Sequence, residues 1–341
     1  MPLIGEGKMR GAGKERLFVF LDGLEFIAGT SAYERVMEPL LEYGSYRYYK
    51  NRLDEAGLLL ERISGAHAVF LDWSNLDAAV LERCRDLEIV SYIGVGAANF
   101  VDITTATDLG IAVTNTPDYG NRSVAEHALS LILAAARNIA RGDRDLRAGR
   151  WTSMDREGVQ VSGRSIGLVG MGSVGREMAR LCHAFGLRVF YCDVVRRPEI
   201  EDVAAYLDMR ELFSTCDIIS LHVAYTPETL NLVGARELGW MSPGAFLINT
   251  SRGEVLDLDA LADALEEGRI AGAGLDNFPG EPHPDLGRLV RLDRVVLTPH
   301  IAFNTREAKD RMTAIAVANV VSFYRGEPEN VMNPAALAER Q

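Results

Sequence analysis

Four residues of this chain have the types and spacing to carry out acid–base chemistry on an organic acid. They are Arg252, Asp276, Glu281 and His300. A guanidinium binds a carboxylate through two parallel hydrogen bonds, and a histidine exchanges a proton near neutral pH. A glutamate beside that histidine orients it and favours its imidazolium form. Each residue lies in a turn that follows a short apolar run: Asn249-Thr250-Ser251-Arg252-Gly253, Asp276-Asn277-Phe278-Pro279-Gly280-Glu281-Pro282 and Thr298-Pro299-His300.

Each of these residues also has a simpler interpretation. Arg252 could be an ordinary surface arginine, and His300 could be a turn histidine that bonds only to the backbone. Asp276 and Glu281 could cap or solvate a Pro-Gly turn. We favour the chemical interpretation because all four side chains follow strands of the same predicted sheet, whose carboxyl ends are where ligands of open α/β sheets bind.

A glycine-rich motif earlier in the chain predicts a bound dinucleotide. An apolar run, Ser165–Val169, leads into Gly170, Gly172 and Gly175, and a helical pattern follows. The first glycine allows a tight turn, the second lets N–H groups approach a pyrophosphate, and the third lets the helix pack on the sheet. The N-terminus of the following helix, near Ser173, supplies an anion site.

The choice between NAD and NADP depends on an acidic residue beyond the motif. Asp193 ends the second predicted strand, 187–192. A carboxylate there accepts the two hydroxyl hydrogens of an adenosine ribose and repels a 2′-phosphate, which favours NAD. Arg196 and Arg197 follow closely and keep NADP open, unless they are solvated loop charges.

Alternating apolar runs and helical patterns predict an α/β fold with two doubly wound parallel-sheet domains. Helices are predicted at 33–43, 76–87, 123–139, 258–265 and 305–324. Strands are predicted at 17–21, 68–71, 89–93 and 111–113, and then at 165–169, 187–192, 218–223, 245–249, 271–275 and 295–297.

The position of the glycine motif in mid-chain determines the predicted domain organisation. Because the motif begins only at Ser165, the preceding residues need a core of their own. The helical patterns 123–139 and 305–324 have the apolar faces of helices that connect two domains, and the second could return the chain to the first domain. We therefore predict a Rossmann cofactor domain at 118–305 and a discontinuous, flavodoxin-like substrate domain at 1–117 and 306–341. Residues 1–15 are interpreted as a mobile leader.

Composition excludes several classes of protein. Charged residues make up 25% of the chain and no apolar run approaches the length of a membrane span. A formal net charge of −12 argues against a nucleic-acid partner, because such partners need a basic surface. The four cysteines form no C-x-x-C pair, which favours a reducing cytoplasm, and the histidines show no metal-ligand spacing.

Taken in order, these motifs resemble those of the D-isomer-specific 2-hydroxyacid dehydrogenases, which interconvert 2-oxo acids and D-2-hydroxy acids with NAD(P)H. The resemblance extends from about Leu17 to Pro334. It implies two similar α/β domains with a cleft between them, usually in a homodimer built on the cofactor domains. Beyond the turns already named, it includes Gly94-Val95-Gly96 with Asn99 and Asp102, Ser123-Val124-Ala125-Glu126-His127-Ala128 and Gly274-Leu275-Asp276.

The resemblance also implies residue roles. Arg252 would hold the substrate carboxylate together with the backbone of Val95 and Gly96, and His300, paired with Glu281, would exchange the proton. The residues implied at the cofactor are Gly170, Gly172, Ser173, Val174 and Gly175 at the pyrophosphate, Asp193 at the ribose, Val223, and Thr250, Ser251, Asp276 and Ala302 towards the nicotinamide.

Departures from the family pattern bear on the substrate. Ala224 stands where the family often has proline, and Phe303 follows the histidine where many members have small residues, so it could narrow the pocket or pack a hinge. The loop that begins with Asp72 and Trp73 carries an acid where the phosphoglycerate-using branch would present arginine. We therefore predict a small unphosphorylated 2-oxo acid, such as glyoxylate, pyruvate or hydroxypyruvate. Trp73 would form an apolar wall or pack within its domain.

Two other functions are compatible with this architecture. A few members of the superfamily are NAD-sensing corepressors, and Pro117-Asp118-Tyr119-Gly120 resembles that branch; turnover of a 2-oxo acid would distinguish an enzyme from a sensor. Formate dehydrogenases share the architecture, but there the partner of the histidine is typically glutamine. Glu281 therefore argues against that activity.

Overall fold

The computed structural model describes residues 16–22, 35–49, 56–151 and 157–340. The predicted leader at 1–15 and the start of the helix predicted at 33–43 lie outside these residues. The described residues form two compact units, one from those up to Gly120 and from Arg306 onward, and the other from those between Asn121 and Thr305. Both units contain a parallel sheet, so the predicted α/β fold with two parallel sheets is confirmed.

The described strands and helices follow in chain order. The strands are β1 Arg16–Phe20, β2 Gly44–Tyr48, β3 Ala68–Leu71, β4 Ile89–Tyr92, β5 Ala112–Thr114, β6 Ser165–Val169, β7 Arg188–Cys192, β8 Ala205–Tyr206, β9 Ile218–Leu221, β10 Phe246–Asn249, β11 Gly272–Leu275 and β12 Val295–Leu297. The helices are α1 Ala56–Ile63, α2 Ala78–Leu81, α3 Ile103–Asp108, α4 Asn121–Ala136, α5 Ile139–Arg147, α6 Ser173–Ala184, α7 Met209–Thr215, α8 Ala235–Leu238, α9 Leu258–Glu266 and α10 Arg306–Arg325. None of the described helices is long and apolar enough to cross a membrane.

The first unit is built on a five-stranded sheet with the order β2-β1-β3-β4-β5, the order of flavodoxin-like folds. All its strand pairs are parallel. The central strands β3 and β4 are buried along their whole length, as expected for strands covered on both faces. Helix α10 packs on this sheet, where the hydroxyl of Ser91 donates to the carbonyl of Ala316 at 3.0 Å.

The second unit is built on a seven-stranded parallel sheet with the order β12-β11-β10-β9-β6-β7-β8. The chain builds outward from β6 in one direction and then from β9 in the other, so the strand order reverses between β6 and β9. Such a reversal opens a crevice at the carboxyl ends of the two strands, which is where doubly wound sheets bind ligands. Helix α4 packs closely on this sheet at Gly274. A Cβ added to Gly274 would lie only 2.8 Å from the Cβ of Leu131 on the helix.

The predicted strands agree with the observed ones to within one or two residues, but the predicted helix 76–87 is wrong in length. Only α2 is helical, starting after Asp77, whose side chain accepts the N–H of Val80 at 2.9 Å. The N–H groups of Arg83 and Cys84 then bond three residues back, which tightens the chain into turns and ends the helix. Strand β2 was not predicted, because it is a half-exposed edge strand without an apolar run.

Candidate active site

The glycine motif forms the turn between β6 and α6. Gly170 has a φ of +95°, and a Cβ there would lie 2.6 Å from the carbonyl oxygen of His222. Gly175 is equally constrained, since its Cβ would lie 2.2 Å from the carbonyl oxygen of Gly170. Gly172 has an ordinary φ of −70°, and a Cβ there would meet no atom within 4 Å. The fold thus requires the first and third glycines, whereas the second leaves open space before the helix.

The N-terminus of α6 faces that open space. The first backbone N–H of the helix to bond back is that of Arg176, which donates to the carbonyl of Gly172 at 3.0 Å. The N–H groups of Ser173, Val174 and Gly175 precede it and belong to the first turn, where a helix has no internal acceptor. These N–H groups and the positive end of the helix dipole favour an anion such as a pyrophosphate.

Asp193 lies directly after β7 and is tied to the glycine turn. Its Oδ2 accepts the N–H of Met171 at 2.6 Å, and its Oδ1 accepts the N–H of Val195 at 3.0 Å. A carboxylate has about four acceptor positions, so each oxygen retains one for a ligand hydroxyl. Arg196 is directed elsewhere, since its guanidinium binds Glu201 through two hydrogen bonds of 2.6 and 2.9 Å.

Three buried polar atoms follow three neighbouring strands of this sheet. His222 follows β9, Thr250 follows β10 and Asn277 lies just past β11. His222 Nδ1, Thr250 Oγ1 and Asn277 Oδ1 have no hydrogen-bond partner among the residues that the structure describes. Buried polar atoms in folded proteins are nearly always paired. These unpaired atoms, together with the open space at Gly172, fit a polar ligand at the carboxyl edge of this sheet.

The turn that carries Arg252 is held by Asn249. The Asn249 Oδ1 accepts the N–H and the hydroxyl of Ser251 at 3.0 and 2.8 Å, and its Nδ2 donates to the carbonyl of Arg252 at 2.8 Å. Gly253 packs against the chain at Phe278, where a Cβ would lie 2.2 Å from the carbonyl carbon. Arg252 itself is half-buried and uses one Nη1 donor on the carbonyl of Ser251 at 2.7 Å. The rest of its guanidinium can bind a substrate.

His300 and Glu281 form a close pair. The Nδ1 of His300 lies 2.5 Å from Glu281 Oε2, and Glu281 Oε1 accepts the N–H of Phe278 at 2.7 Å. The side chains of His300 and Glu281 are 32% and 25% exposed, so both can reach a ligand. Because Nδ1 faces the carboxylate, Nε2 is the ring nitrogen left for proton exchange. The ring of Phe303 meets His300 edge-on, with centroids 5.8 Å apart.

Asp276 is fully buried and holds the turn around His300. Its carboxylate accepts the hydroxyl of Thr298 at 2.5 Å and the N–H groups of Ile301 and Ala302 at 2.9 and 2.8 Å. Burial is the largest influence and by itself would raise the pKa of Asp276. The hydrogen bonds from His127, Thr298, Ile301 and Ala302 together outweigh it and lower that pKa below its ordinary value.

The remaining predicted residues lie at the carboxyl ends of other strands. Val223 follows β9 and lies beside the glycine turn, since a Cβ on Gly170 would lie 3.0 Å from its Cγ1. Val95 and Gly96 belong to the first unit and follow β4; Val95 is exposed, and its carbonyl accepts the side-chain N–H of Asn115 at 3.1 Å. Arg252, Glu281 and His300 follow the adjacent strands β10, β11 and β12.

Asn249 and His127 lie within the sequence motifs, but neither has a role that could be predicted from them. The position of Asn249, two residues before a serine at a strand end, is the local signal for the side-chain turn that it forms. His127 lies on α4 and contacts Thr298, which is 171 residues further along the chain, with an Nε2 to Oγ1 distance of 3.0 Å. Nothing local in the sequence marks that contact.

The part of the chain that contains these turns matches a known family. Residues 129–302 match the model of the NAD binding domain of D-isomer specific 2-hydroxyacid dehydrogenases. A glyoxylate reductase of Korarchaeum cryptofilum is 40% identical over 291 residues, which cover 83% of this chain and 87% of that protein. The chain belongs to the D-isomer-specific 2-hydroxyacid dehydrogenase family. The predicted family and the predicted dehydrogenase activity are thereby confirmed, at the level of an NAD(P)-dependent enzyme acting on 2-hydroxy acids.

Two solved structures superimpose on nearly the whole of this chain. A protein from Thermus thermophilus superimposes with a TM-score of 0.81 at 34% identity, covering 93% of this chain and 99% of that one. An acyclic imino acid reductase in complex with NADPH and D-Arg superimposes with a TM-score of 0.80 at 26% identity, with the same coverage.

Proposed function

We propose that this dehydrogenase reduces a small unphosphorylated 2-oxo acid of the glyoxylate, pyruvate or hydroxypyruvate type to the D-2-hydroxy acid, with NADH as reductant. The observation that carries the proposal is the His300–Glu281 pair, with Nδ1 and Oε2 2.5 Å apart at the same sheet edge as the Arg252 turn. A cation and a protonatable imidazole are what a 2-oxo acid needs, since it presents a carboxylate beside a carbonyl.

In this proposal each side chain has one task. Arg252 binds the substrate carboxylate and polarises the adjacent carbonyl. His300 donates a proton from Nε2 to the developing alkoxide during reduction, and in the oxidative direction its neutral imidazole accepts that proton. Glu281 keeps the ring oriented through Nδ1. The nicotinamide, when bound, supplies or accepts the hydride.

The residues around Asp193 support NAD over NADP. The Asp193 carboxylate lies against the glycine turn with acceptor positions left for ribose hydroxyls, and a negative charge there repels a 2′-phosphate. Arg196, which would be the obvious partner of such a phosphate, is engaged by Glu201 through two hydrogen bonds. Thr250, Ser251, Asp276 and Ala302 lie towards the far end of the same edge, where we place the nicotinamide.

An anchored acidic loop in the first unit supports an unphosphorylated substrate. The buried carboxylate of Asp22 accepts the N–H groups of Asp72, Trp73 and Ser74 at 2.8, 3.1 and 2.5 Å. These bonds fix the loop after β3 with an acid at its start, which disfavours a phosphate dianion. Trp73 packs edge-on against Phe100, with ring centroids 6.4 Å apart, so its indole has a defined position.

The test is a substrate panel followed by a variant at Arg252. Glyoxylate, pyruvate, hydroxypyruvate and 3-phosphohydroxypyruvate are each assayed with NADH and with NADPH by absorbance at the nicotinamide wavelength. We expect turnover of an unphosphorylated acid with NADH, and such turnover would also exclude a corepressor without enzymatic activity. A preference for the phosphorylated acid or for NADPH would contradict the corresponding part of the proposal.

Arg252→Ala should then lower kcat/KM by about a hundredfold, because charged hydrogen bonds to the substrate worth roughly 3 kcal/mol are lost. The exposed Arg210 on α7 provides a matched control, and Arg210→Ala should leave kcat/KM unchanged. An Arg252→Ala enzyme with the wild-type kcat/KM would remove Arg252 from the site.

The proposed assembly is a homodimer built on the cofactor domains, as the family resemblance implies. Ile139 and Leu146 on α5, and Trp151 after it, are 57%, 61% and 82% exposed, and large exposed apolar side chains this close in sequence are typical of protein interfaces. Light scattering should give twice the chain mass, and Leu146→Glu should shift the protein towards monomer. Leu230→Glu, the same change at another exposed leucine, should not.

A further inference from the structure

We propose that His127 is a positioning residue for the reaction, which holds the turn containing His300 in place through Thr298 and Asp276. The inference rests on the role proposed for His300 and goes beyond it, because His127 itself would not touch the substrate. It assigns a task to a histidine on α4, an element that contributes no other residue to the proposed chemistry.

His127 contacts two side chains beside the turn that contains His300. Its side chain is 20% exposed, and its Nε2 lies 3.0 Å from Thr298 Oγ1 and 3.5 Å from Asp276 Oδ1. Thr298 in turn lies 2.5 Å from the same Asp276 oxygen. His127, Thr298 and Asp276 therefore form a continuous chain of hydrogen-bonding groups from α4 to the carboxyl ends of β11 and β12.

The direction of these hydrogen bonds follows from the number of protons available. The buried Asp276 is ionised at neutral pH, since the hydrogen bonds that it accepts hold its pKa below the ordinary value, so both its oxygens accept. Thr298 has one hydroxyl proton, and its 2.5 Å contact with the carboxylate uses it. The oxygen of Thr298 can then only accept from His127. His127 must therefore carry a proton on Nε2.

The hydrogen-bonded series from His127 through Thr298 and Asp276 ends on the backbone of the turn that contains His300. The Asp276 carboxylate accepts the N–H groups of Ile301 and Ala302, and the Asp276 carbonyl accepts the N–H of His300 at 2.8 Å. Three consecutive N–H groups are thus held by one residue. His300 has a φ of +52°, in the left-handed region that non-glycine residues seldom adopt without support from their surroundings. A fixed Asp276 provides that support, and His127 with Thr298 fixes Asp276.

The kinetic experiment compares two pairs of variants in the full-length enzyme, with the best 2-oxo acid of the panel. His127→Leu and Thr298→Val remove the hydrogen bonds with little change in size, and they should lower kcat by about ten- to a hundredfold through misplacement of His300, with KM nearly unchanged. His127→Gln supplies an amide N–H near the position of Nε2, and Thr298→Ser retains the hydroxyl, so both should recover most of the lost kcat. His183→Leu, at an exposed histidine near the end of α6, is the matched control and should behave as wild type.

Two kinetic outcomes would overturn the inference. One is a wild-type kcat in both His127→Leu and Thr298→Val. The other is a loss of kcat that is as large in His127→Gln as in His127→Leu, and as large in Thr298→Ser as in Thr298→Val. Such a result would mean that the hydrogen bonds do not matter and that the two side chains only fill space. If His127→Leu does not fold, as judged by its thermal unfolding, Thr298→Val and Thr298→Ser still test the hydrogen bonds that Thr298 makes with His127 and Asp276.

A second readout does not depend on turnover. In protein labelled with 15N-histidine, long-range proton–nitrogen spectra distinguish the two neutral tautomers, and the signals absent from His127→Gln identify His127. We expect the proton on Nε2 at neutral pH, and a proton on Nδ1 alone would overturn the inference. If the wild-type enzyme reduces no acid of the panel, the proposed function fails, whereas the tautomer still tests the hydrogen-bonded chain.

Discussion

Two histidines follow strands of the same sheet at the same edge, and their surroundings differ. His300, after β12, has a carboxylate oxygen of Glu281 2.5 Å from its Nδ1. Among the described residues, the ring of His222, after β9, bonds only to the hydroxyl of Ser220, which lies 2.9 Å from its Nε2. Its Nδ1 is buried without a hydrogen-bond partner in the described part of the chain, although the residue as a whole keeps some exposure. Burial lowers the pKa of His222 to about 4.

The comparison shows that the neighbours of a histidine determine its chemistry. A carboxylate compensates the charge of an imidazolium, which suits the acid–base role that we propose for His300. The desolvated ring of His222 has no such compensation and stays neutral, which suits a group that faces a cofactor without exchanging protons with a substrate. Substitutions of His300, His222 and Glu281 test this difference.

The largest effect is expected at His300. His300→Gln keeps a polar side chain of similar reach but removes the exchangeable proton, so kcat/KM for the 2-oxo acid should fall by about a hundred- to ten-thousandfold. The affinity for NADH, measured by fluorescence titration, should change little because the ring serves the substrate. If His300→Gln keeps more than a tenth of the wild-type kcat/KM, His300 is not the acid–base group, and it does not differ from His222 in this respect.

The next effect concerns stability and depends on His222. The pKa of His222 is about 4 in the folded chain and 6.5 ordinarily, so between these values the unfolded chain binds a proton that the folded chain does not. The stability that the neutral ring of His222 contributes is therefore fully present above pH 6.5. As the pH falls from 6.5 to about 4, the free energy of unfolding decreases by about 3 kcal/mol.

Urea unfolding at about pH 7.5 and about pH 5.5 should show about 1.4 kcal/mol of this loss in the wild type. The loss should be absent from His222→Gln, whose side chain does not titrate. His183→Gln, at an exposed histidine, should lose stability as the wild type does. Equal pH dependence of the wild type and His222→Gln would mean that His222 is not held neutral by the fold.

The smallest effect is expected for Glu281→Gln. Without the carboxylate the charged hydrogen bond to Nδ1 of His300 becomes a weaker neutral one, so kcat for reduction should fall by about three- to tenfold. The amide can still accept from Nδ1, which preserves the orientation of the ring. A wild-type kcat would contradict the proposed pairing and reduce the contrast between the two histidines.

Local patterns were sufficient to predict several parts of the site. The turn at Gly170, the start of α6 and the ends of β6, β10, β11 and β12 follow from glycine spacing and short apolar runs, which act over a few residues. Asp193 could be placed in the same way, because it ends the strand that follows the motif. The unpredicted edge strand β2 and the overlong helix at 76–87 show the limit of such patterns, since burial and turn formation determined both.

The sequence by itself determined which turns follow the parallel strands, where the glycine turn lies and which residue types lie at the carboxyl edge. These features depend on local spacing and on the fact that the carboxyl ends of parallel strands lie at one edge of the sheet. Only the tertiary structure decided that the ring of His222 is buried beside Ser220, that Arg196 binds Glu201, and that His127 reaches Thr298 across 171 residues. Hydrogen bonds and desolvation act over a few ångströms in space, and the distance along the chain does not reveal which groups come that close.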